Sequence, residues 1–302
     1  MTPICLVGIG KIAVDQHVPS INGSTDWDLA ATVSRAGSVA GVQSFTDFDD
    51  MLAARPDIPV ISLCLPPVPR YAYAAKAIAA GRHVMLEKPP GATLAEVYAL
   101  SDMAQKAGVT LYTTWHSRMA KGVAPAKAWL ADKTITGAHI TWKEDVRRWH
   151  PGQDWVFAPG GMGVFDPGSN ALSIITEILP MPIHLQSADL MFPANRDTPI
   201  AAQMQWTENV TGEFDWRQEG PQSWDIMVET TAGTLELHDG GARLVIDGTE
   251  VEAGADREYP ALYDRMAALI KTGASEVDLS PMIHVADALT LGKRIVVEPF
   301  DF

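Results

Sequence analysis

The chain has few basic residues: 23 lysines and arginines stand against 37 aspartates and glutamates, and the formal net charge is −14. An acidic surface repels phosphate backbones, so we expect no nucleic-acid partner, although a small anion can still bind in a locally basic cleft. No apolar run reaches the roughly 20 residues of a membrane span, so we expect no membrane partner. The N-terminus lacks the basic segment of a signal peptide, and we expect a cytoplasmic protein.

Cysteine is also scarce. Cys5 and Cys64 lie in apolar, strand-like runs without metal-ligand or Cys-x-x-Cys spacing, so we interpret both as buried structural thiols. The eight histidines include no His-x-x-x-His pair, and the sequence predicts no metal site. Internal repeats and low-complexity tracts are absent as well.

The chain of 302 residues is long enough for two domains. Up to about residue 120, apolar strand-like runs alternate with helical segments, which predicts an α/β Rossmann domain with a doubly wound parallel sheet. The predicted strands are Ile4–Val7, Leu29–Val33, Val60–Leu65, Val84–Leu86 and Val109–Thr113. The predicted helices are Ile12–Ile21, one opened by Thr46 as N-cap, Arg70–Ala80, and one that runs from a Thr93 capping box to Ala107.

After about residue 135 the pattern changes to segments rich in Thr, Val and Trp, separated by turn residues. This sequence pattern predicts an α+β domain with an open, mainly antiparallel sheet. We therefore predict a dinucleotide-binding domain over residues 1–120 and a substrate-binding domain over residues 121–302, whose final helices can pack back on the first domain. The predicted strands are 138–146, 183–191, 200–207, 210–217, 224–230 and 234–238, and the late helices are Tyr259–Lys271 and Pro281–Arg294.

Residues 8–13 form a G-x-G-x-x-A fingerprint between the first predicted strand and a helix. The first glycine of such a fingerprint permits a tight turn, the second lets a pyrophosphate approach the backbone, and the small third residue lets helix and strand pack closely. The helix N-terminus then faces the phosphates. The sequence predicts dinucleotide binding by Gly8, Gly10, Lys11 and Ile12.

The second predicted strand leads into Ser34 and Arg35, where NAD-binding proteins usually place an acidic residue on the ribose diol. A hydroxyl and a guanidinium suit a 2′-phosphate instead, whereas the alternative is two solvated loop residues. We predict NADP as the cofactor, with NAD also accepted. Leu65 and Pro66, at the end of another predicted strand, are predicted to contact the cofactor as well.

Residues 83–90 read His-Val-Met-Leu-Glu-Lys-Pro-Pro, in which Glu87 and Lys88 follow a short apolar run that two prolines end. Proline cannot continue a central strand, so Lys88 is placed at the carboxyl end of a strand, where open α/β sheets bind ligands. A cation held there can bind, polarise or shuttle a proton. The alternative is a surface lysine in a turn.

The glycine-rich segment 160–170 contains Asp166 and Asn170. If a helix begins near Pro167, the two side chains are four residues apart on one face. Asp166 is then a candidate for catalysis and also for the N-cap of that helix, and the two roles are compatible.

The fingerprint, the Glu87-Lys88-Pro89 sequence and the Asp-x-Gly-x-x block at 166–170 together resemble the Gfo/Idh/MocA oxidoreductase family over the whole chain. The resemblance implies that Lys88 and the later block line a substrate site beside the nicotinamide, with Glu87 and Lys88 also on the cofactor side. The family's usual histidine is Asn170 here. Because an amide cannot act as a base near neutral pH, Asp166 with Lys88 must carry the proton chemistry.

Residues 149–155 and 163–170 resemble one branch in particular, the bacterial aldose 1-dehydrogenases. That likeness implies oxidation of a pyranose of the L-arabinose, D-galactose or D-fucose type at C1 to the lactone, by hydride transfer to the nicotinamide. It also implies sugar contacts for Glu144 and His150, whose alternatives are a solvated strand residue and a satisfied loop histidine.

His116, Arg118 and Trp149 are further candidates for the wall of the sugar pocket, and Asn170 is a candidate for orienting the sugar. The alternatives are core packing for Trp149 and a phosphate-side or surface cation for Arg118. Two other functions stay open at this point: a dehydrogenase for inositol or another sugar or cyclic polyol, and a non-catalytic NADP-binding regulatory protein. Lys88 and Asp166 argue against the second. For the assembly we expect a monomer or a homodimer.

Overall fold

The computed structural model describes residues 1–253 and 257–302, with only the backbone of Ala253. The chain divides into two compact units: a first unit of Met1–His116 with Glu258–Asp278, and a second unit of Ser117–Arg257 with Leu279–Phe302. The functions predicted for the parts before and after residue 120 stay predictions. In the described ranges, no helix is long and apolar enough to cross a membrane.

The helices of the two units are α1 (Val18–Asn22), α2 (Phe48–Ala54), α3 (Pro67–Ala79), α4 (Leu94–Ala107), α5 (Val123–Leu130), α6 (Val146–Trp149), α7 (Phe165–Ile178), α8 (Glu258–Thr272) and α9 (Ser280–Leu291). The strands are β1 (Thr2–Val7), β2 (Trp27–Val33), β3 (Gln43–Phe45), β4 (Val60–Leu63), β5 (His83–Leu86), β6 (Leu111–Thr113), β7 (Ile135–Lys143), β8 (Leu185–Pro193), β9 (Ala201–Trp206), β10 (Val210–Asp215), β11 (Ser223–Thr230), β12 (Gly233–His238), β13 (Arg243–Ile246), β14 (Thr249–Ala253) and β15 (Lys293–Val297).

The first unit is built on a six-stranded sheet in the order β3-β2-β1-β4-β5-β6, and its neighbouring strands pair in parallel. This confirms the predicted doubly wound sheet. The strand order reverses between β1 and β4, and in such sheets ligands bind in the crevice beyond the carboxyl ends at that point. The fingerprint follows β1, and Lys88 follows β5, two residues after its end.

The helix starts of the first unit depart from prediction at two places. Asp47, not Thr46, is the N-cap of α2, because its Oδ1 accepts the backbone N–H groups of Asp49 (2.8 Å) and Asp50 (3.1 Å). Helix α3 begins at Pro67 rather than at Arg70, since proline in the first turn has no N–H that needs a partner. The capping box of α4 and its left-handed Gly108 at the end are confirmed.

The predicted first helix contains a π-helical turn over Ala13–His17 before α1. Pro19 follows this turn and cannot donate the i→i−4 hydrogen bond to Asp15, and such breaks in the hydrogen-bond ladder go with local widening. The turn places His17 in the core with none of its surface exposed.

The second unit contains a nine-stranded mixed sheet in the order β14-β13-β12-β11-β7-β10-β9-β8-β15. The pairs β7–β10 and β8–β15 are parallel and the other pairs are antiparallel, so the predicted, mainly antiparallel sheet is confirmed. Helix α7 packs on β7 and β11 and is flanked by α5 and α9. The predicted final helix extended to Arg294, which is wrong: α9 ends at Leu291, and the next residues pair with β8 as β15.

Candidate functional site

The fingerprint loop of the first unit has the shape that a dinucleotide requires. Gly8 has φ +89°, and a Cβ added there would lie 3.0 Å from the carbonyl carbon of Cys64 and from the backbone nitrogen of Leu65, so a side chain does not fit. A Cβ added at Gly10 would meet no described atom within 4 Å, and the backbone is accessible to a ligand. The following Ala13 is fully buried, as close helix–strand packing requires.

After β2 the structure presents a hydroxyl and a guanidinium. Ser34 Oγ accepts the backbone N–H groups of Ala36 and Gly37, both at 3.2 Å, which leaves its own hydroxyl hydrogen available for donation. Arg35 is exposed to solvent. The pair therefore fits the chemistry of a 2′-phosphate.

Arg70 holds the chain on both sides of Lys88. It is 2% exposed, and its guanidinium donates hydrogen bonds to the backbone carbonyls of Leu65, Glu87 and Pro89. The loops after β4 and β5 are thereby fixed to one cation of α3. The sequence analysis did not identify Arg70. A signal was present, because Arg70 precedes the buried residues Ala74, Ala77 and Ile78 by four, seven and eight positions and therefore lies on the buried face of the helix.

Glu87 is 4% exposed and supports the neighbouring lysine from within the core. Its Oε2 accepts the backbone N–H of Lys88 and the hydroxyl of Thr114, both at 2.9 Å, and its Oε1 accepts the hydroxyl of Tyr259 at 2.7 Å. Burial raises the pKa of Glu87, but nearby positive charge and the Tyr259 hydrogen bond lower that pKa more, so it lies below its ordinary value. The group is a carboxylate, and its cofactor contact stays a prediction.

His116 lies in the same buried network. Its Nδ1 is 2.5 Å from Glu258 Oε2, and its ring stacks on Tyr259 with centroids 5.3 Å apart. Burial lowers the pKa of His116, but the charge and hydrogen bond of Glu258 raise that pKa more, so it lies above its ordinary value. His116 therefore keeps its proton to a higher pH than an ordinary imidazole, and its predicted sugar contact stays a prediction.

His17 is a buried, neutral imidazole beneath this network. Its Nδ1 is 2.7 Å from the hydroxyl of Tyr263, and its Nε2 has no hydrogen-bond partner among the described residues. Burial lowers the pKa of His17 to about 4. Because the unfolded chain takes up this proton near pH 6.5, the stability from neutral His17 is complete above that pH and is lost as the pH falls toward 4.

We expect the free energy of unfolding to fall between pH 7 and pH 5 by about 2 kcal/mol more in the wild type than in a His17→Gln variant. Denaturant unfolding of both proteins at the two pH values measures the difference. A His184→Gln variant, which changes an exposed histidine, serves as control and should respond as the wild type does. Equal losses in wild type and His17→Gln would contradict the assignment.

In the second unit, α7 presents the predicted carboxylate. The helix has Val164 as N-cap and begins at Phe165, so the predicted N-cap role of Asp166 is wrong and Pro167 is the third helical residue. The start is set by the preceding loop, where a Cβ at Gly163 would lie 2.2 Å from the carbonyl oxygen of Pro199. Asp166 is buried, and Asn170, one turn later, is half-buried on the same face.

His150 follows α6 and contacts Asp166. Its Nε2 is 3.2 Å from Asp166 Oδ2, and its Nδ1 is 3.3 Å from Gln153 Oε1. Its ring and that of Trp216 meet edge to face, with centroids 5.4 Å apart. A buried carboxylate therefore has an imidazole as its neighbour.

Glu144 is a second buried carboxylate of this unit. It follows β7, is 6% exposed, and accepts the indole N–H groups of Trp216 at 3.0 Å and Trp224 at 2.9 Å, one on each oxygen. Glu144 is therefore not a solvated strand residue. Both indole donors escaped sequence reasoning, although the tryptophan-rich segments that carry them were noted.

Trp149 belongs to an aromatic wall on the same unit. Its indole N–H donates to Gln222, and its ring lies 5.8 Å from that of Trp224, which stacks on Trp142 at 6.1 Å. The register pairs Trp224 directly with Trp142 across β11 and β7. The structure thus brings Glu144, Trp149, His150 and Asp166 into one network of aromatic and acidic groups.

Comparison with known proteins identifies the family. The family description "Oxidoreductase family, NAD-binding Rossmann fold" of the Gfo/Idh/MocA group matches residues 3–114. Galactose 1-dehydrogenase of Pseudomonas fluorescens is 41% identical over 299 residues, which are 98% of this chain and 97% of that protein. The chain belongs to the Gfo/Idh/MocA oxidoreductase family. The predicted family and its likeness to aldose 1-dehydrogenases are confirmed.

Solved structures agree with this family. The crystal structure of a D-galactose-1-dehydrogenase protein from Rhizobium etli has a TM-score of 0.95 and 54% identity, covering 99% of this chain and 97% of that one. A 3-ketoreductase from Actinomadura kijaniata, solved with TDP-benzene and NADP, has a TM-score of 0.83 at 15% identity, covers 98% of this chain and 99% of its own, and shows the same fold. The chain is accordingly an oxidoreductase of a dinucleotide-binding Gfo/Idh/MocA family.

Proposed function

We propose that the protein is an NAD(P)-dependent aldose 1-dehydrogenase that oxidises a pyranose of the L-arabinose, D-galactose or D-fucose type at C1 to the lactone. The observation that carries the proposal is the similarity to galactose 1-dehydrogenases along nearly the whole chain. The buried Asp166–His150 contact and the aromatic wall beside Glu144 supply the acidic and aromatic groups that a sugar site needs.

The proposed roles follow from side-chain chemistry. Asp166 accepts the proton of the C1 hydroxyl, and Lys88, as a cation, stabilises the developing alkoxide. Asn170 orients the sugar through its amide, which can donate and accept hydrogen bonds but cannot take up a proton. Further sugar contacts are proposed for His116, Glu144, Trp149 and His150.

The proposed cofactor is NADP, with NAD also accepted. When bound, the dinucleotide supplies the acceptor for the hydride of C1. The residues that would hold it are Gly8, Gly10, Lys11 and Ile12 at the pyrophosphate, Ser34 and Arg35 at the 2′-phosphate, and Leu65, Pro66, Glu87 and Lys88 toward the nicotinamide.

Substrate choice follows from sugar stereochemistry. L-Arabinose and D-galactose share the ring configuration from C1 to C4, and galactose adds an exocyclic CH2OH. A pocket that reads those positions therefore takes both sugars unless its wall at C5 is closed. We expect turnover of both, with their ratio reporting the space at C5.

The decisive experiment follows NAD(P)H absorbance with a panel of aldoses and cyclitols and with each dinucleotide. Turnover of galactose- or arabinose-type aldoses to the lactone supports the proposal. Turnover of cyclitols alone would assign a different substrate class. Binding of NADP without turnover across the panel would point to a regulatory protein instead.

We expect Arg35→Ala to raise KM for NADP by about 10-fold or more, since a charge-assisted hydrogen bond to phosphate contributes about 1.5–3 kcal/mol. KM for NAD, which lacks the 2′-phosphate, should change much less. Steady-state kinetics with both dinucleotides measure the two values. Lys106→Ala removes another exposed cation of the same unit and should change neither. Equal effects on both dinucleotides would contradict a 2′-phosphate contact.

A further inference from the structure

The hydrogen bonds around Gln153 fix the tautomer of His150. Trp155 Nε1 lies 3.1 Å from Gln153 Oε1, and an indole N–H can only donate, so this amide atom is the carbonyl oxygen. The same oxygen lies 3.3 Å from His150 Nδ1. An acceptor there requires an N–H, and His150 therefore carries hydrogen on Nδ1.

The tautomer has a consequence at the other nitrogen. In a neutral imidazole with hydrogen on Nδ1, Nε2 presents a lone pair, yet it lies 3.2 Å from Asp166 Oδ2. A carboxylate oxygen and a lone pair repel at that distance unless a proton lies between them. His150 and Asp166 therefore hold one shared proton, as imidazolium with carboxylate or as imidazole with carboxylic acid.

The surroundings give the two partners different access to water. The Asp166 side chain is 8% exposed and that of His150 is 21% exposed. The rings of Trp155 and Trp216 meet the imidazole nearly edge to face, with centroids 6.2 Å and 5.4 Å away, and they hold its orientation. Of the two partners, the imidazole is therefore the one that can exchange a proton with water more readily.

We propose that His150 is the proton relay of Asp166: it receives the proton that Asp166 takes from the sugar and releases it to water. The proposal rests on the proposed function, in which Asp166 is the base. It also explains how position 170 can be an asparagine instead of the family's usual histidine. The imidazole that carries the proton comes to the carboxylate from the loop after α6, and not from α7.

The balanced step begins when the shared proton has left the pair. The O–H bond of the C1 hydroxyl breaks and its proton goes to Asp166, while the C1–H bond breaks and its electron pair leaves with the hydride to the oxidised dinucleotide. The C1–O bond becomes the lactone carbonyl. The proton then passes to His150 Nε2, and the imidazolium loses it to water, so one proton is released for each sugar oxidised.

Two other charged groups of the second unit, both on neighbouring segments in the described part of the chain, are already engaged. On the chain after β7, Glu144 accepts two indole N–H groups, and next to Gln153 the exposed Asp154 pairs with Arg196 at 2.8 Å. The pH dependence of the relay is therefore assigned to Asp166 and His150 together, as one coupled pair.

The first test needs no activity. Nitrogen NMR of imidazole-labelled protein, with the His150 signals assigned by their loss in His150→Gln, should show hydrogen on Nδ1 and an Nε2 that is protonated or hydrogen-bonded to the shared proton near neutral pH in the wild type. In Asp166→Asn, His150 should become neutral with hydrogen on Nδ1. A wild-type His150 that is neutral with hydrogen on Nε2 would overturn the shared proton, whether or not an aldose is the substrate.

The second test uses the aldose that the wild type oxidises. His150→Ala should lower kcat by about 10-fold or more at pH 7, with KM for the dinucleotide unchanged, and added imidazole should restore part of the lost rate. In the wild type, the rate should rise with pH as the pair loses its shared proton. The midpoint pH of that rise should shift in both His150→Ala and His150→Gln. An unchanged kcat overturns the relay. A lowered kcat that imidazole does not restore, together with an unchanged pH profile, also overturns it and leaves His150 a structural residue.

His238 provides the matched control. It is a half-exposed histidine of the same unit that also pairs with a carboxylate, Asp225, at 2.7 Å. His238→Ala should keep its kcat and should not respond to imidazole. A wild type that is inactive on every aldose but shows the expected nitrogen signals would reject the proposed function and retain the shared proton.

Discussion

Asp166→Ala is expected to lower turnover of the best aldose by about 100- to 10,000-fold, the range for loss of a general base. The reason is that C1 cannot lose its hydride and form a lactone carbonyl while its hydroxyl keeps the proton, and the neighbouring amide of Asn170 cannot accept that proton. Asp166→Asn should lose activity to a similar extent, because it keeps the shape of the side chain and removes its basicity.

Steady-state kinetics with purified variants measure this effect, and dinucleotide binding with thermal unfolding shows whether the fold is kept. Asp154→Ala is the matched control, since it removes an exposed carboxylate of the same unit. Asp166→Asn that keeps near-normal turnover would remove Asp166 from the role of base. Loss of dinucleotide binding together with turnover would instead indicate a folding defect, which the melting curves would reveal.

The elements that sequence predicted best are those with a strong local pattern. Strands β1, β4 and β5 are mainly apolar runs, and the structure buries most of their residues. The start of α4 carries its capping box in four consecutive residues, and both hydrogen bonds of that box are present. In these places the local preference and the tertiary environment favour the same structure.

The elements that sequence missed depend on partners elsewhere in the chain. Strand β15 has exposed positions and follows a helix closely. The sequence therefore predicts its first two residues, Lys293 and Arg294, as the end of that helix, whereas pairing with β8 decides the structure. Strand β3 has three residues and two exposed positions, and its pairing with β2 likewise defines it. Short edge strands of this kind leave little periodicity to detect.

The same distinction applies to the candidate site. Lys88 and Asp166 were found because a motif of a few consecutive residues carries each of them. Arg70, Gln153 and Trp216 were missed as partners because a hydrogen bond between distant residues leaves no local spacing. Even at Asp166 the predicted N-cap was wrong, since the helix start depends on the close approach of Gly163 to a distant carbonyl.

Lys88→Ala is expected to lower kcat by about 100- to 1,000-fold, as for loss of a group that stabilises a developing oxyanion. The lysine is half-buried, and Glu87 and Arg70 fix the backbone on either side of it, so its position is set before a ligand binds. Such preorganisation is what makes a single cation effective, because little reorganisation is needed during the reaction.

Because Arg70 and Glu87 hold this loop through the backbone, Lys88→Ala should leave thermal unfolding close to that of the wild type. Lys76→Ala, which removes an exposed cation of α3 paired with Asp49 at 2.5 Å, is the matched control and should retain full activity. Lys88→Arg tests geometry apart from charge, since a planar guanidinium does not reproduce a compact ammonium, and we expect it to recover only part of the rate. Full activity in Lys88→Ala would show that the fixed backbone of this loop, and not the ammonium, is what catalysis requires.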